Sequence, residues 1–211
     1  MIKENFFPTS IYAKDLELDN DKLGKHIIEW SKRDKGVKKT NVNGWHSPNI
    51  HFPRDVQGGW HSPNLDPHSE NREYIPLVKE LYKLQNEIYK EECIDRQPIL
   101  GNMWANINPP GGSNEFHIHP NCLFSGVYYV TAPKNSGQLI IVDPRPGVQQ
   151  IKPVRKNESL PKDVWREVFL EPKEGRLLMF PAWLWHRVAV NQSEHLRISI
   201  SFNFVQEGFY V

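Results

Sequence analysis

The chain of 211 residues is 38% hydrophobic, which is enough for one sizeable core and marginal for two, so we expect one domain over residues 1–211. Its 26 basic residues balance 25 acidic ones without a long basic block, which argues against a nucleic-acid partner. No run approaches the roughly 20 apolar residues of a membrane span, and the first residues lack the apolar core of a signal peptide. We therefore expect a soluble, cytoplasmic protein with no membrane partner.

Two amphipathic helices are predicted in the N-terminal half of the chain. Residues 19–33 open on Asp and Asn and space Leu23, Ile27 and Trp30 at intervals of three and four. Residues 69–92 show the same spacing over a longer stretch, and Pro76 falls in the first turn, where a missing N–H is tolerated. We expect both helices to pack outside the core that the rest of the chain builds.

Between the predicted helices, the hexapeptide GWHSPN occurs twice, at residues 44–49 and 59–64. A period of 15 residues is too short for a solenoid, and the Gly, Pro and Asn content indicates a duplicated loop. One interpretation is a lid that carries Trp45 and Trp60 over a pocket. The other is that one of these Trp side chains packs on the body of the protein and the other is incidental.

The pattern changes after residue 98, where short β-rich runs replace the helical periodicity. The runs are separated by Pro, Gly, Asn and Asp, and no helical segment interrupts them. They lie at residues 99–107, 116–119, 123–130, 137–142, 165–171, 175–180, 183–190 and 195–204. So many short strands predict a mainly β fold with flanking helices: a double-stranded β-helix, or cupin-like jelly roll, over residues 98–211. Residues 1–97 then supply the helices and the lid-like loop.

The stretch NEFHIHPNC, at residues 114–122, places His117 and His119 two positions apart in an extended segment. Alternate residues of a strand share a face, with Cα atoms about 6.5–7 Å apart, so both imidazoles can reach one metal ion. A third imidazole, His186, lies in the apolar run FPAWLWHRVAV, where it needs a partner. These three histidines are the predicted metal-binding and catalytic set.

The last run, residues 195–204, alternates strictly between polar and apolar side chains. If residues 191–194 form a hairpin loop, His186 pairs with Ser199, and Arg197 lies on the same surface, with cross-strand neighbours about 5 Å apart. Arginine offers bidentate donors, so this surface predicts a receptor for a ligand carboxylate. The alternative is that the polar face meets solvent, as the outer face of many antiparallel strands does.

Several segments together resemble the Fe(II)- and 2-oxoglutarate (2OG)-dependent oxygenases, and within that superfamily a small bacterial and phage family. The resemblance rests on NMWANINPPGGSNEFHIHPNCLFSGVYYVTAP, VDPRP, GRLLMFPAWLWHRVAVN and RISISFNF, with GGWHSPNL upstream, and it covers about half of the chain. It implies a double-stranded β-helix, Fe(II) as the metal and 2OG as the cosubstrate. It also implies that Arg197 and Ser199 bind the 2OG carboxylate that is remote from the metal.

His119 departs from the superfamily pattern, which has Asp or Glu at the corresponding position. Three neutral imidazoles would leave Fe(II) with a formal charge of +2, whereas a carboxylate would lower it to +1. Three interpretations stay open: His119 binds the metal directly, it turns away and leaves a position for water or halide, or a carboxylate is recruited, with Asp143 the nearest candidate in strand order. We favour direct binding, which suits iron, because the spacing of His117 and His119 is favourable and the DPR sequence at Asp143 is typical of a turn at the end of a strand.

The function implied by the resemblance is a hydroxylase-type oxygenase that acts on a small-molecule or peptide substrate. Tyr128 and Tyr129 alternate across a strand, so one of them should face the pocket, and we assign Tyr128 and Asn106 to the cofactor-binding set. One alternative is a three-histidine cupin-type dioxygenase without 2OG, whose Arg197 binds the substrate's own carboxylate. Another is a non-catalytic jelly-roll binding module. Exposed strand edges in such folds often pair between subunits, so a homodimer is a further expectation.

Overall fold

Two antiparallel sheets and two helices form the framework of the computed structural model, which describes residues 1–52, 71–150, 154 and 160–206. The second copy of GWHSPN, with Trp60, lies outside these residues. Within the described part of the chain, no helix is long and apolar enough to span a membrane.

Both predicted helices are confirmed. Helix α1 spans Asn20–Arg33, and the carboxylate of Asp19 accepts the Lys22 amide at its N-terminus. Helix α2 spans Ile75–Glu91 with a proline in its first turn. It begins later than expected, because residues 72–74 form a 3-10 turn before it. A short helix, α3, at Pro146–Gln150 was not predicted.

All eight predicted β-rich runs overlap a strand. The described residues also contain three short strands that were not predicted, because two to four residues are too few to show an alternating pattern. The strands are β1 Tyr12–Asp15, β2 Asn41–Val42, β3 Trp45–His46, β4 Ile99–Asn108, β5 Ser113–His117, β6 Phe124–Thr131, β7 Leu139–Val142, β8 Glu167–Leu170, β9 Arg176–Pro181, β10 His186–Val188 and β11 Arg197–Val205.

The strands form a six-stranded sheet in the order β1-β9-β6-β11-β4-β3 and a five-stranded sheet in the order β2-β5-β10-β7-β8. Every pairing is antiparallel. The predicted mainly β fold, a double-stranded β-helix with flanking helices, is confirmed. The three unpredicted strands join these sheets, so the part of the chain before residue 98 contributes to the barrel as well as to its helical cover.

Helices α1 and α2 pack on the outer face of the six-stranded sheet. The apolar residues of β11, among them Ile200 and Phe202, are fully buried in this core together with Leu77 and Leu81 of α2. The alternate residues of β11 are polar and face the space between the two sheets. Along β11 the alternation therefore separates the core face from the cavity face, where Arg197, Ser199 and Asn203 are buried away from bulk solvent.

The hairpin predicted across residues 191–194 does not form. Strand β10 pairs with β5 and β7, whereas β11 pairs with β4 and β6, so the chain crosses from one sheet to the other between them. The side chain of Asn191 directs this crossing, because its Nδ2 donates to the carbonyls of both Asn108 (2.9 Å) and His195 (2.8 Å). As a result, His186 and Arg197 enter the interior from different sheets.

The first GWHSPN copy is partly an edge strand, which corrects the prediction of a loop. Trp45 and His46 form β3 and pair with Ile107 and Asn106 of β4. The Trp45 ring packs edge-on against Trp30 of α1, with centroids 5.5 Å apart, so it does not cover a pocket as a lid would. Its neighbour His46 is the residue of this pair that lines the interior.

Candidate active site

The three predicted histidines converge between the sheets. His117 at the end of β5 is the register partner of His186 on β10, and their ring centroids lie 4.3 Å apart. His119 follows β5, where its backbone N–H donates to the Ala182 carbonyl (3.0 Å) and its Nε2 lies 3.3 Å from His186 Nε2. One nitrogen from each ring lies within 4.8 Å of the others. The structure therefore places all three imidazoles within reach of one ion.

Backbone carbonyls fix the orientation of two of these rings. Because a carbonyl oxygen only accepts, Nδ1 of His117 donates to the Glu115 carbonyl (2.6 Å) and Nδ1 of His186 donates to the Leu184 carbonyl (2.8 Å). Their Nε2 atoms then carry the lone pairs. Carbonyl partners of this kind fix the tautomer and orientation of metal-binding histidines in many proteins.

Burial keeps the cluster neutral and suited to a metal. Desolvation lowers the pKa of His119 to about 3 and the pKa of His186 to about 4, and it also lowers the pKa of His117. Neighbouring imidazoles add to the shift at His119 and His186. Two nitrogens about 2.1 Å from one ion lie roughly 3.0–3.4 Å apart, which matches the 3.3 Å between the two Nε2 atoms. The residues present therefore fit a metal ion.

Asp143 does not supply a carboxylate to the cluster, which corrects the interpretation that it is recruited. It follows β7 and pairs with Arg145 through Nε (2.9 Å) and Nη2 (2.7 Å), and these hydrogen bonds lower the pKa of its carboxyl. It does not line the interior cavity. Within the described residues, His117, His119 and His186 are the only group of three side chains placed to hold a metal.

The histidines line a cavity of about 650 Å³ between the sheets, a size typical of small-molecule sites. Its wall combines apolar side chains with uncharged polar ones, among them several Asn and Ser side chains from β4 and β11. Among the described lining residues, Lys39 and Arg197 are the cationic side chains, and there is no Asp or Glu. The cavity therefore favours anionic ligands.

Arg197 is a buried guanidinium without an ionic partner among the described residues. Its side chain is 2% exposed, Nη1 donates to the carbonyls of Ser136 (3.0 Å) and Gly137 (2.8 Å), and the buried Nε–H has no partner. Desolvation lowers its pKa, against the opposing influence of the Tyr129 hydroxyl. Burial of an unpaired charge is costly, so this geometry calls for an anionic ligand.

Ser199 and Asn106 line the cavity, where the sequence placed them. They are register partners on β11 and β4 and are 5% and 6% exposed. Asn106 Nδ2 donates to Ser201 Oγ (3.1 Å), which holds the amide against the same wall. Arg197, Ser199 and Ser201 follow one another on the cavity face of β11, but His186 is not the register partner of Ser199, because the predicted hairpin does not form.

Tyr128 is corrected to Tyr129 as the tyrosine of the cavity. The Tyr128 side chain lies on the helix side of the sheet, where its hydroxyl donates to Asn20 Oδ1 at the start of α1 (2.7 Å). Tyr129 lines the cavity beside Ser199, its register partner, and desolvation raises its pKa to about 12. The sequence analysis missed a signal here, because Ser125 and Thr131 make the face of β6 that carries Tyr129 the more polar one.

His46 is a cavity residue that the sequence did not reveal. Its Nδ1 donates to the Ser47 carbonyl (2.7 Å), and its ring stacks on Trp104 with centroids 5.4 Å apart. Trp104 in turn lies 5.9 Å from the His119 ring. The repeated GWHSPN hexapeptide was the available signal, but the sequence analysis assigned a role to its Trp and none to its His.

Known proteins resemble the chain in sequence family and in fold. Residues 102–203 match the family model described as "Putative 2OG-Fe(II) oxygenase". No curated protein matches the sequence. A prolyl-4-hydroxylase from Pseudomonas putida is 15% identical with a TM-score of 0.59, and the match covers 95% of this chain and 94% of that one.

Two further solved structures share the fold. The viral collagen prolyl hydroxylase of Paramecium bursaria Chlorella virus-1, in a 2OG complex, is 13% identical with a TM-score of 0.54, over 92% of this chain and 94% of that one. The non-heme alpha-ketoglutarate-dependent carbocyclase SnoK from nogalamycin biosynthesis is 12% identical with a TM-score of 0.58, and the match covers 93% of this chain and 79% of that one. At such identities the likeness shows a common fold.

Proposed function

Because the chain belongs, through residues 102–203, to the 2OG-Fe(II) oxygenase family, we propose that it binds Fe(II) through His117, His119 and His186 and binds 2OG through Arg197. One observation carries this proposal. Three neutral imidazoles and a buried, unpaired guanidinium line the same cavity from different elements. The cavity then holds a substrate beside these groups for oxidation.

When bound, Fe(II) together with 2OG supplies the oxidising chemistry, as dioxygen is consumed and 2OG is converted to succinate and carbon dioxide. The residues of this chain orient the imidazoles and surround them with other side chains. The carbonyls of Glu115 and Leu184 hold two imidazoles with Nε2 turned toward the ion. The Phe180 ring meets the His186 ring edge-on with centroids 5.0 Å apart, so it covers one side of this imidazole with an apolar surface.

Arg197 and Ser199 suit the 2OG carboxylate that is remote from the metal. The guanidinium forms charge-assisted hydrogen bonds with a carboxylate, and such bonds are roughly twice as strong as neutral ones. Its Nη1 is already held by the carbonyls of Ser136 and Gly137, so little conformational entropy is lost when the ligand arrives. The Tyr129 hydroxyl completes the polar wall around this carboxylate.

We propose a small-molecule or peptide substrate. Proteins of similar fold include prolyl hydroxylases and a carbocyclase of nogalamycin biosynthesis, so the fold accommodates both kinds. A homodimer and a cytoplasmic location stay predictions from the sequence.

The test is 2OG binding and turnover with purified protein. We expect Fe(II), Mn(II) or Co(II) to raise the thermal midpoint, 2OG to raise it further only in the presence of metal, and Fe(II) with ascorbate and oxygen to release succinate slowly without substrate. Oxygen consumption that is independent of 2OG would instead support the three-histidine cupin-type dioxygenase. Metal-free protein whose stability no divalent ion changes would overturn both enzymes in favour of the binding module.

A further inference from the structure

The three-histidine cluster leaves more positive charge in the cavity than 2OG can balance. An ion bound by His117, His119 and His186 keeps its formal charge of +2, because a metal-binding imidazole is neutral. Lys39 and Arg197 are further cationic side chains of the described wall, and no carboxylate lies there. Since 2OG carries two negative charges, the cavity remains net positive after it binds.

A second polar cluster lies away from Arg197. Ser125 Oγ donates to Asn203 Oδ1 (2.6 Å), and Asn203 Nδ2 donates to Asn102 Oδ1 (2.7 Å). Because both amide oxygens already accept, the Nδ2–H groups of Asn102 remain as donors, and Asn102 lines the cavity. Arg197 lies six residues before Asn203 on β11, which is roughly 20 Å along an extended strand.

This second cluster lies on the His119 side of the cavity, because Trp104, two residues after Asn102 on β4, has its ring centroid 5.9 Å from that of His119. The His119 N–H donates to the Ala182 carbonyl (3.0 Å), Ala182 donates to Leu123 (2.9 Å), and Leu123 donates to Phe204 (2.9 Å), the residue after Asn203. The cavity thus has one anion-binding end at Arg197 and a separate, uncharged donor group near His119. An anion between His119 and Asn102 would meet the metal's positive charge on one side and N–H donors on the other.

We propose that the cavity takes a second anion on the side of His119, in addition to 2OG. The ligand class is a small monoanion, either a carboxylate of the substrate or an inorganic anion such as chloride. It is attracted by the charge that a carboxylate would neutralise at the position of His119. The inference rests on the metal site of the proposed function but does not require turnover.

The experiment uses the full chain loaded with Co(II) and 2OG without oxygen, and follows the visible absorption of Co(II). The probes are sodium chloride, sodium formate and, as a neutral match to formate, formamide. We expect a saturable spectral change with an anion and none with formamide. Saturation by formate alone indicates a substrate carboxylate, and saturation by chloride alone indicates an inorganic anion. No saturable change with either anion overturns the proposal.

Two substitutions of nearly equal shape isolate the charge. His119→Asp places a carboxylate beside the metal, and His119→Asn places a neutral amide there, while His117 and His186 remain in both. We expect the Asn variant to keep the anion response and the Asp variant to bind the anion at least about tenfold more weakly, because one unit of positive charge is removed. Equal anion affinity of the two variants overturns the proposal.

Asn102→Asp tests the same proposal if the variants at position 119 fail to fold or to bind Co(II). Asn102→Asp adds a negative charge to the opposite wall and leaves the three histidines intact. We expect the same weakening of anion binding with unchanged Co(II) content, and unchanged anion affinity would count against the proposal. Spectral titration with 2OG before the anion is added keeps the two conclusions apart, because loss of 2OG binding alone contradicts the proposed function.

Discussion

The two sheets contribute to the site in different ways. The proposed metal-binding histidines lie on or directly after β5 and β10 of the five-stranded sheet, which have five and three residues. The proposed anion receptor lies on the six-stranded sheet, whose β4, β6 and β11 have ten, eight and nine residues and are backed by two helices. The proposed metal site thus rests on a few paired residues and carbonyl anchors. The proposed receptor rests on longer strands, and the register of β11 shifts between Ile198 and Ser199 and between Asn203 and Phe204.

Removal of one histidine of the five-stranded sheet should abolish most of the metal affinity and leave the six-stranded sheet unchanged. We expect His186→Ala to weaken Co(II) binding by more than about 100-fold, since loss of groups that merely orient a metal ligand already costs 10–100-fold. Metal content and calorimetric titration measure the effect. His195→Ala, which changes an exposed histidine outside the cavity, is the matched control. Wild-type affinity in His186→Ala would contradict the three-histidine assignment.

Replacement of the buried guanidinium should weaken 2OG binding and leave metal binding unchanged. We expect Arg197→Met to weaken 2OG binding by about 100-fold, or about 3 kcal/mol, with Co(II) binding unchanged. The thermal midpoint of the ligand-free protein should not fall, because the variant no longer buries an unpaired charge. Arg187→Met, on β10 and half-exposed beside Glu167 (3.9 Å), is the control. Similar 2OG affinities in the two variants would show that Arg197 does not hold the cosubstrate.

The sequence predicted the parts of the site whose signal is local. Alternation along residues 195–204 placed Arg197 and Ser199 on one face, and in the structure this face of β11 meets the cavity while the other meets the helices. His186 stood out because an imidazole is unusual in an apolar strand. Two-residue spacing in an extended segment sufficed to bring His117 and His119 together.

What the sequence could not predict depends on contacts between distant residues. A short polar loop before residue 195 looks like a hairpin, yet Asn191 bonds to Asn108, which is 83 positions away, and so guides the chain into the other sheet. The face of β6 that meets the cavity, by contrast, had a local signal in Ser125 and Thr131, which the sequence analysis missed. That omission led to Tyr128 in place of Tyr129.

The two adjacent tyrosines of β6 provide a smaller test, because they separate the two faces of one strand. We expect Tyr129→Phe to weaken 2OG binding about fivefold, which corresponds to one neutral hydrogen bond, without a change in stability. Tyr128→Phe removes the hydroxyl that donates to Asn20 and should lower the free energy of unfolding by about 1 kcal/mol, with normal 2OG binding. Denaturant unfolding and 2OG titration of both variants check this, and an exchange of the two phenotypes would contradict the corrected assignment.

The smallest effect is expected where the structure removes a residue from the site. Asp143 is paired with Arg145 and lies outside the cavity, so its charge is already balanced away from the histidines. We expect Asp143→Asn to leave Co(II) and 2OG affinities within about twofold of the wild type, since the three imidazoles and Arg197 are untouched. Calorimetric titration with Co(II) measures the effect. If Asp143 were a metal ligand, its replacement would weaken Co(II) binding by about tenfold or more. Such a loss would mean that Asp143 binds the metal, and that the formal charge of the metal site is +1 and not the +2 expected with three neutral imidazoles.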